Sequence, residues 1–112
     1  MTNELVSRVI ASLLWDVGAF KVSLDEPFKL VSGNYSPIYV NCRLLISNAA
    51  AMDVVTSLLH WRYMAENLSA GIIAGGETAG IPFASYLAQR LGKPMVYVMK
   101  RPKEHGVHHR FS

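Results

Sequence analysis

An α/β fold containing a parallel strand pair is what this sequence predicts, and two stretches predict it. The first begins at Gly71-Ile-Ile-Ala74, a short Ile-rich apolar run bounded by glycine. Gly75-Gly-Glu-Thr-Ala-Gly-Ile-Pro82 follows, then an amphipathic run to Leu91, then the apolar Pro94–Val98. Strand, glycine-rich turn, helix and strand at these lengths make a right-handed βαβ unit. The second stretch lies before it, where one helical pattern leads into short extended pieces separated by turn sequences.

Taken in order, Thr2 or Asn3 can cap a first helix, with Glu4 well placed in its first turn. Val6, Val9, Ile10, Leu13, Leu14 and Val17 give it one apolar face, and Gly18 stops it. Phe20–Val22, Phe28–Val31 and Ile38–Asn41 read as extended segments. Asp25-Glu26-Pro27 and Ser32-Gly33-Asn34 between them are turn sequences, the second suited to a hairpin with Gly or Asn at positive φ. Tyr35, Tyr39 and Arg43 suit a planar polar ligand, although alternating Tyr and aliphatic residues also make an ordinary hairpin face. Ser47 or Asn48 opens a second helix through about Glu66, with Ala51, Val54, Val55, Leu58 and Leu59 along its buried face. His60, near its end, has no acidic or histidine partner at helical spacing and reads as structural. The third helix buries Ile81, Ala84, Leu87, Ala88 and Leu91, carries Pro82 in its first turn and ends at Gly92.

The bulk properties narrow the function classes. The chain has 112 residues, 51% of them hydrophobic and 17% charged, which excludes a disordered chain and predicts one domain, 1–112. No apolar run approaches the roughly 20 residues of a membrane span, and the N-terminus has no signal-peptide pattern, so a soluble cytoplasmic protein is expected. Cys42 is the single cysteine and sits in an apolar extended stretch, where a small buried residue is expected. Residues 1–99 hold seven Lys/Arg and seven Asp/Glu, so the whole net charge of +3 belongs to the last thirteen residues. Lys100, Arg101, Lys103 and Arg110 there suit a phosphate contact or a solvated terminus equally well on charge alone.

Chemistry concentrates at Gly75–Gly80. A strand entering a glycine-rich turn and a helix N-terminus leaves several N–H groups unpaired and aimed together, a setting that attracts anions. Ligands of parallel sheets bind at the carboxyl ends of the strands, here the 75–80 turn and the stretch from Lys100. A nucleoside-triphosphatase loop is excluded, because Ile81-Pro82 stands where its Lys-Ser/Thr belongs. The dinucleotide fingerprint also fails, since the glycines fall at 75, 76 and 80. His105, His108 and His109 lack zinc-site spacing.

Three motifs in order then carry a resemblance. Phe28-Lys-Leu-Val-Ser-Gly-Asn-Tyr-Ser-Pro-Ile-Tyr-Val-Asn-Cys-Arg43, Ala74–Pro82 and Lys100-Arg-Pro-Lys-Glu-His-Gly106 resemble the orotate phosphoribosyltransferases, which are type I phosphoribosyltransferases. The resemblance runs from about residue 5 to Gly106 and implies the first half of that fold: an N-terminal helix and β-hairpin hood followed by a βαβ unit, a truncated type I phosphoribosyltransferase. It implies transfer of ribose 5-phosphate from phosphoribosyl pyrophosphate (PRPP) to orotate with Mg²⁺, giving orotidine 5′-monophosphate and pyrophosphate in pyrimidine biosynthesis. It further implies small-molecule substrates, a homodimer, and neither nucleic acid nor membrane as partner. By position, Gly75, Gly76, Thr78, Ala79 and Gly80 correspond to the pyrophosphate loop, and Lys100, Lys103 and His105 to a basic loop reaching the neighbouring subunit's site. Lys103 is the catalytic cation on this reading. Tyr39 and Val40 correspond to the orotate pocket, and no side chain of the chain is assigned to a metal.

The departures are specific. Ala79 and Val31 stand where lysine is common in the family, and Met99 where arginine is. The family's D-D-x-x-T-x-G segment, which holds the ribose phosphate, does not occur, and residues 107–112 are a divergent tail. The resemblance therefore leaves a second reading open: a catalytically incomplete remnant that binds pyrophosphate or PRPP weakly, or only dimerises.

Overall fold

A computed structural model describes residues 1–101, which fall in two compact units, one ending at Ala51 and the other beginning at Met52. In the first, helix α1 spans Asn3–Asp16 and Thr2 caps it, its hydroxyl oxygen accepting from the Leu5 N–H at 3.1 Å. Val6, Val9, Ile10, Leu13, Leu14 and Val17 are the half-buried residues of this segment, the stripe expected from their spacing. The chain reverses at Gly18, whose φ of 75° favours glycine.

Four short strands follow: β1 (Phe20–Val22), β2 (Phe28–Lys29), β3 (Tyr35–Ser36) and β4 (Ile38–Val40). β1 pairs antiparallel with β4, and β2 antiparallel with β3, so a small hairpin is nested inside a longer one. β2 ends two residues earlier than its apolar run predicts. The Leu30 N–H donates to Asn34 O at 2.7 Å and the Gly33 N–H to Leu30 O at 2.9 Å, closing the turn early, with Gly33 at φ 90°. After Val40 the strand gives way to a 3-10 turn, Cys42–Leu45, opened by the Asn41 side chain accepting from the Arg43 N–H at 3.2 Å. Cys42 is therefore exposed rather than buried: the extended stretch ends before reaching it. Ala19, Leu45 and Ala51 are the buried apolar residues of this unit.

Helix α2 (Ala49–Ala65) starts at the boundary, with Asn48 Oδ1 accepting from the Ala51 N–H at 2.9 Å. Its deepest side chains are Met52 and Thr56, with Val55 beside them, while Leu59 is exposed. Thr56 tolerates burial because its hydroxyl donates to Met52 O at 2.6 Å. Strand β5 (Ile73–Gly76), helix α3 (Gly80–Leu91) and strand β6 (Met95–Val98) form the βαβ unit, β5 and β6 running parallel with Gly75 opposite Tyr97 and Gly76 opposite Val98. β5 sits two residues later than its Ile-rich run suggests, so the strand carries Gly75 and Gly76 to its end. Ala84 and Ala88 are buried, Ile81, Leu87 and Leu91 half-buried, and Gly92 ends α3 in the left-handed conformation at φ 67°. Among the described residues no helix is long and apolar enough to cross a membrane.

Candidate functional site

β5 delivers Gly75 to the N-terminal end of α3, and the fit there is tight. A Cβ on Gly75 would lie 2.8 Å from both Ala84 Cβ and Gly80 O, so only hydrogen fits at this position. Gly76 has nothing within 4 Å of the same point and faces open space. Between the strand and the helix run Glu77, Thr78 and Ala79, with a cis peptide between the first two.

The donor inventory of this turn decides its chemistry. The Glu77 N–H is spent on Val98 O at 2.9 Å, and the Ile81 N–H on Thr78 O at 3.2 Å. Pro82 has no N–H to offer. Among the described residues, the N–H groups of Thr78, Ala79 and Gly80 have no backbone or side-chain acceptor, and Ala79 provides no side-chain cap to α3. Three adjacent donors at the positive end of a twelve-residue helix give this turn the geometry that suits an anion. All five residues assigned to the pyrophosphate loop thus fall together: Gly75 and Gly76 close β5, Thr78 and Ala79 form the turn, and Gly80 starts α3.

Lys100 follows β6 and sits beside this turn, its N–H donating to Glu77 Oε2 at 2.7 Å. Glu77 was not singled out from the sequence. An acid inside an anion loop carries no readable signal, and its acceptor role depends on a residue 23 positions away. Lys103 and His105 lie outside the described residues.

Tyr39 and Val40 belong to the first unit, on β4. Tyr39 lies across from Lys21, and its ring is tilted against Phe28 with centroids 5.8 Å apart. Val40 lies across from Phe20 and lines an open apolar cavity of about 420 Å³ with Ala11, Leu14, Trp15 and Phe20. Consecutive strand residues point to opposite faces. A planar ligand on β4 would therefore meet the ring of Tyr39 but only the backbone of Val40. The turn before them is braced by Ser36, whose Oγ accepts from the Ile38 N–H at 3.1 Å and donates to Ile38 O at 2.8 Å. His60 is half-buried on α2. Among the described residues no three His, Cys, Asp or Glu side chains cluster as metal ligands.

Comparison with known proteins agrees with the motif resemblance. No protein-family profile matches the chain. An orotate phosphoribosyltransferase of Rhizobium rhizogenes is 45% identical over 108 residues, covering 93% of this chain and 46% of the relative. One from Sinorhizobium medicae is 45% identical over the same coverage. Among solved structures, the orotate phosphoribosyltransferase of Aeropyrum pernix superposes with a TM-score of 0.76 at 31% identity, covering 92% of this chain and 56% of that one. The UMP synthase of Leishmania donovani superposes at 0.63 with 27% identity over 86% of this chain and 20% of its own. The chain is thus similar over nearly its whole length to orotate phosphoribosyltransferases and spans about half the length of the curated relatives it matches. Its α/β architecture, with N-terminal helix, hairpin and parallel βαβ unit, is that of a partial type I phosphoribosyltransferase fold.

Proposed function

We propose that this chain contributes the pyrophosphate-holding part of an orotate phosphoribosyltransferase. In that reaction the bond from the ribose anomeric carbon to pyrophosphate breaks, and a carbon–nitrogen bond to orotate forms. The single observation that supports the reading best is the cradle at Thr78–Gly80, three N–H groups at the head of α3 with no acceptor among the described residues, found in a sequence 45% identical to enzymes of that name. Donors fixed before the reaction stabilise charge as it develops on the departing phosphates, without reorganisation at the moment of transfer. Lys100, Lys103 and His105 supply cations to the same anion, and Lys103 is the residue assigned to the developing charge. Tyr39 and Val40 receive orotate.

Mg²⁺ accompanies PRPP in this reading. Among the described residues no three His, Cys, Asp or Glu side chains cluster as ligands, and the acid in the loop, Glu77, accepts from the Lys100 N–H. The ion would be held by the substrate's phosphates, and the roles given to this chain's residues do not run through it. A homodimer in the cytoplasm completes the proposal, the dimer being checked by light scattering of the purified chain.

The test is direct. The purified chain is mixed with orotate, PRPP and Mg²⁺, and the loss of orotate absorbance is followed. Turnover that vanishes in Lys103→Ala supports the catalytic reading, whereas no turnover above background at high protein concentration removes it for this chain alone. The second reading is a pyrophosphate-binding module without turnover. Turnover separates the two; calorimetry with pyrophosphate then tests the second, and absence of heat, or heat unaffected by Lys100→Ala and Lys103→Ala, removes it too.

A further inference from the structure

The loop proposed to receive a polyanion carries a carboxylate in its middle. Coulomb repulsion makes that placement unfavourable unless the acid does something else. Its geometry shows what. Glu77 Oε2 accepts from the Lys100 N–H at 2.7 Å, a short charge-assisted bond. The backbone N–H of Glu77 donates to Val98 O at 2.9 Å, one step past the last paired residues of the two strands, Gly76 and Val98. One residue therefore fastens the exit of β5 to the exit of β6 twice, once through its backbone and once through its side chain.

We infer that Glu77 is a positioning residue whose carboxylate pins the Lys100 backbone, and with it the foot of the basic stretch, to the rim of the anion cradle. The consequence for ligand binding rests on the pyrophosphate reading given above; the pin itself does not. The sign of its effect is unusual. A purely electrostatic role predicts that removing this negative charge tightens anion binding. Pinning predicts the reverse, because Lys100 is released from its place beside the loop.

The experiment uses the full chain, ¹⁵N-labelled, as wild type, Glu77→Ala and Glu77→Gln, with and without Lys100→Ala. Amide hydrogen exchange should show the Lys100 N–H protected in the wild type, exchanging freely in Glu77→Ala and partly protected in Glu77→Gln, whose side-chain oxygen still accepts. Pyrophosphate binding by calorimetry should weaken about tenfold to a hundredfold in Glu77→Ala, the order of one charged hydrogen bond's net worth. It should recover to within about twofold of wild type in Glu77→Gln, and in the Lys100→Ala background, which keeps the backbone donor but lacks the ammonium, the loss caused by Glu77→Ala should be smaller than in the wild type. A Lys100 amide that exchanges freely in the wild type overturns the pin. So does pyrophosphate bound as tightly, or more tightly, by Glu77→Ala. Should wild-type protein fail to bind pyrophosphate, the functional reading falls while the Lys100 amide still decides the pin.

Discussion

Replacing Gly75 with alanine should loosen the βαβ unit, and the structure indicates by how much. The new Cβ would stand 2.8 Å from Ala84 Cβ, 2.8 Å from Gly80 O and 3.1 Å from Gly80 C. Carbon atoms rest at about 3.5–4.0 Å, so α3 and β5 must part by roughly 1 Å. Two of the three obstructing atoms are backbone, which cannot swing aside as the end of a long side chain can. Overpacking of this kind costs about 1–3 kcal/mol. Alanine also lowers the entropy of the unfolded chain, returning about 0.4–1 kcal/mol. The net loss is then roughly 0–2.6 kcal/mol, centred near 1.3 kcal/mol, and each kcal/mol lowers the thermal midpoint by about 4–8 °C in a domain of this size. Gly76→Ala is the internal control, since its Cβ would meet nothing within 4 Å. It should stay within about 0.5 kcal/mol of wild type or gain slightly. Denaturant unfolding followed by fluorescence and by far-ultraviolet dichroism measures both. Equal midpoints for Gly75→Ala and wild type would refute the close approach, and equal losses at both glycines would show that strand glycines in general are at issue.

Other substitutions test the remaining supports. Thr2→Ala removes the hydroxyl that caps α1 and should cost about 1 kcal/mol, read as faster amide exchange in the first turn. Gly33→Ala forces a side chain into φ 90° and should cost about 1–2 kcal/mol, with the β2–β3 pairing lost by nuclear Overhauser contacts. Arg90 reaches from α3 to Asp53 Oδ1 at 2.9 Å and Ser57 Oγ at 2.6 Å on α2. Because the Asp53 side chain is 74% exposed, a double-mutant cycle on the ion pair should return only about 0.2–1 kcal/mol, less at high salt. A larger coupling would mean the pair is shielded from solvent.

The apolar stripes of α1 and α3, the parallel pair and the cradle at the helix head were legible because each depends on residues near one another in sequence. Periodicity of 3.6 marks Val6 to Val17 and Ile81 to Leu91, and glycine followed by proline marks a strand-to-helix turn. What escaped depends on partners farther away. β5 extends over Gly75 and Gly76, poor strand formers, because β6 supplies its ladder opposite Tyr97 and Val98. The burial of Thr56 over Leu59 follows from a hydrogen bond to Met52 that sequence spacing permits but does not demand. Cys42 comes out exposed because a single Asn41 side chain turns the chain one residue earlier. Glu77 was silent for the same reason, its partner being supplied by the far end of the unit.

The cradle's donors are peptide groups, which has a consequence for how freely this loop can vary. The N–H groups of Thr78, Ala79 and Gly80 persist whatever side chain each residue carries, with proline the one residue that deletes a donor. Ala79 therefore brings no side-chain charge to the loop yet keeps its hydrogen-bond donor. Nor does a peptide N–H gain or lose a proton across the physiological range. The acidity profile of anion capture by these three groups should accordingly be borrowed from the ligand, following the ionisation of the phosphates themselves.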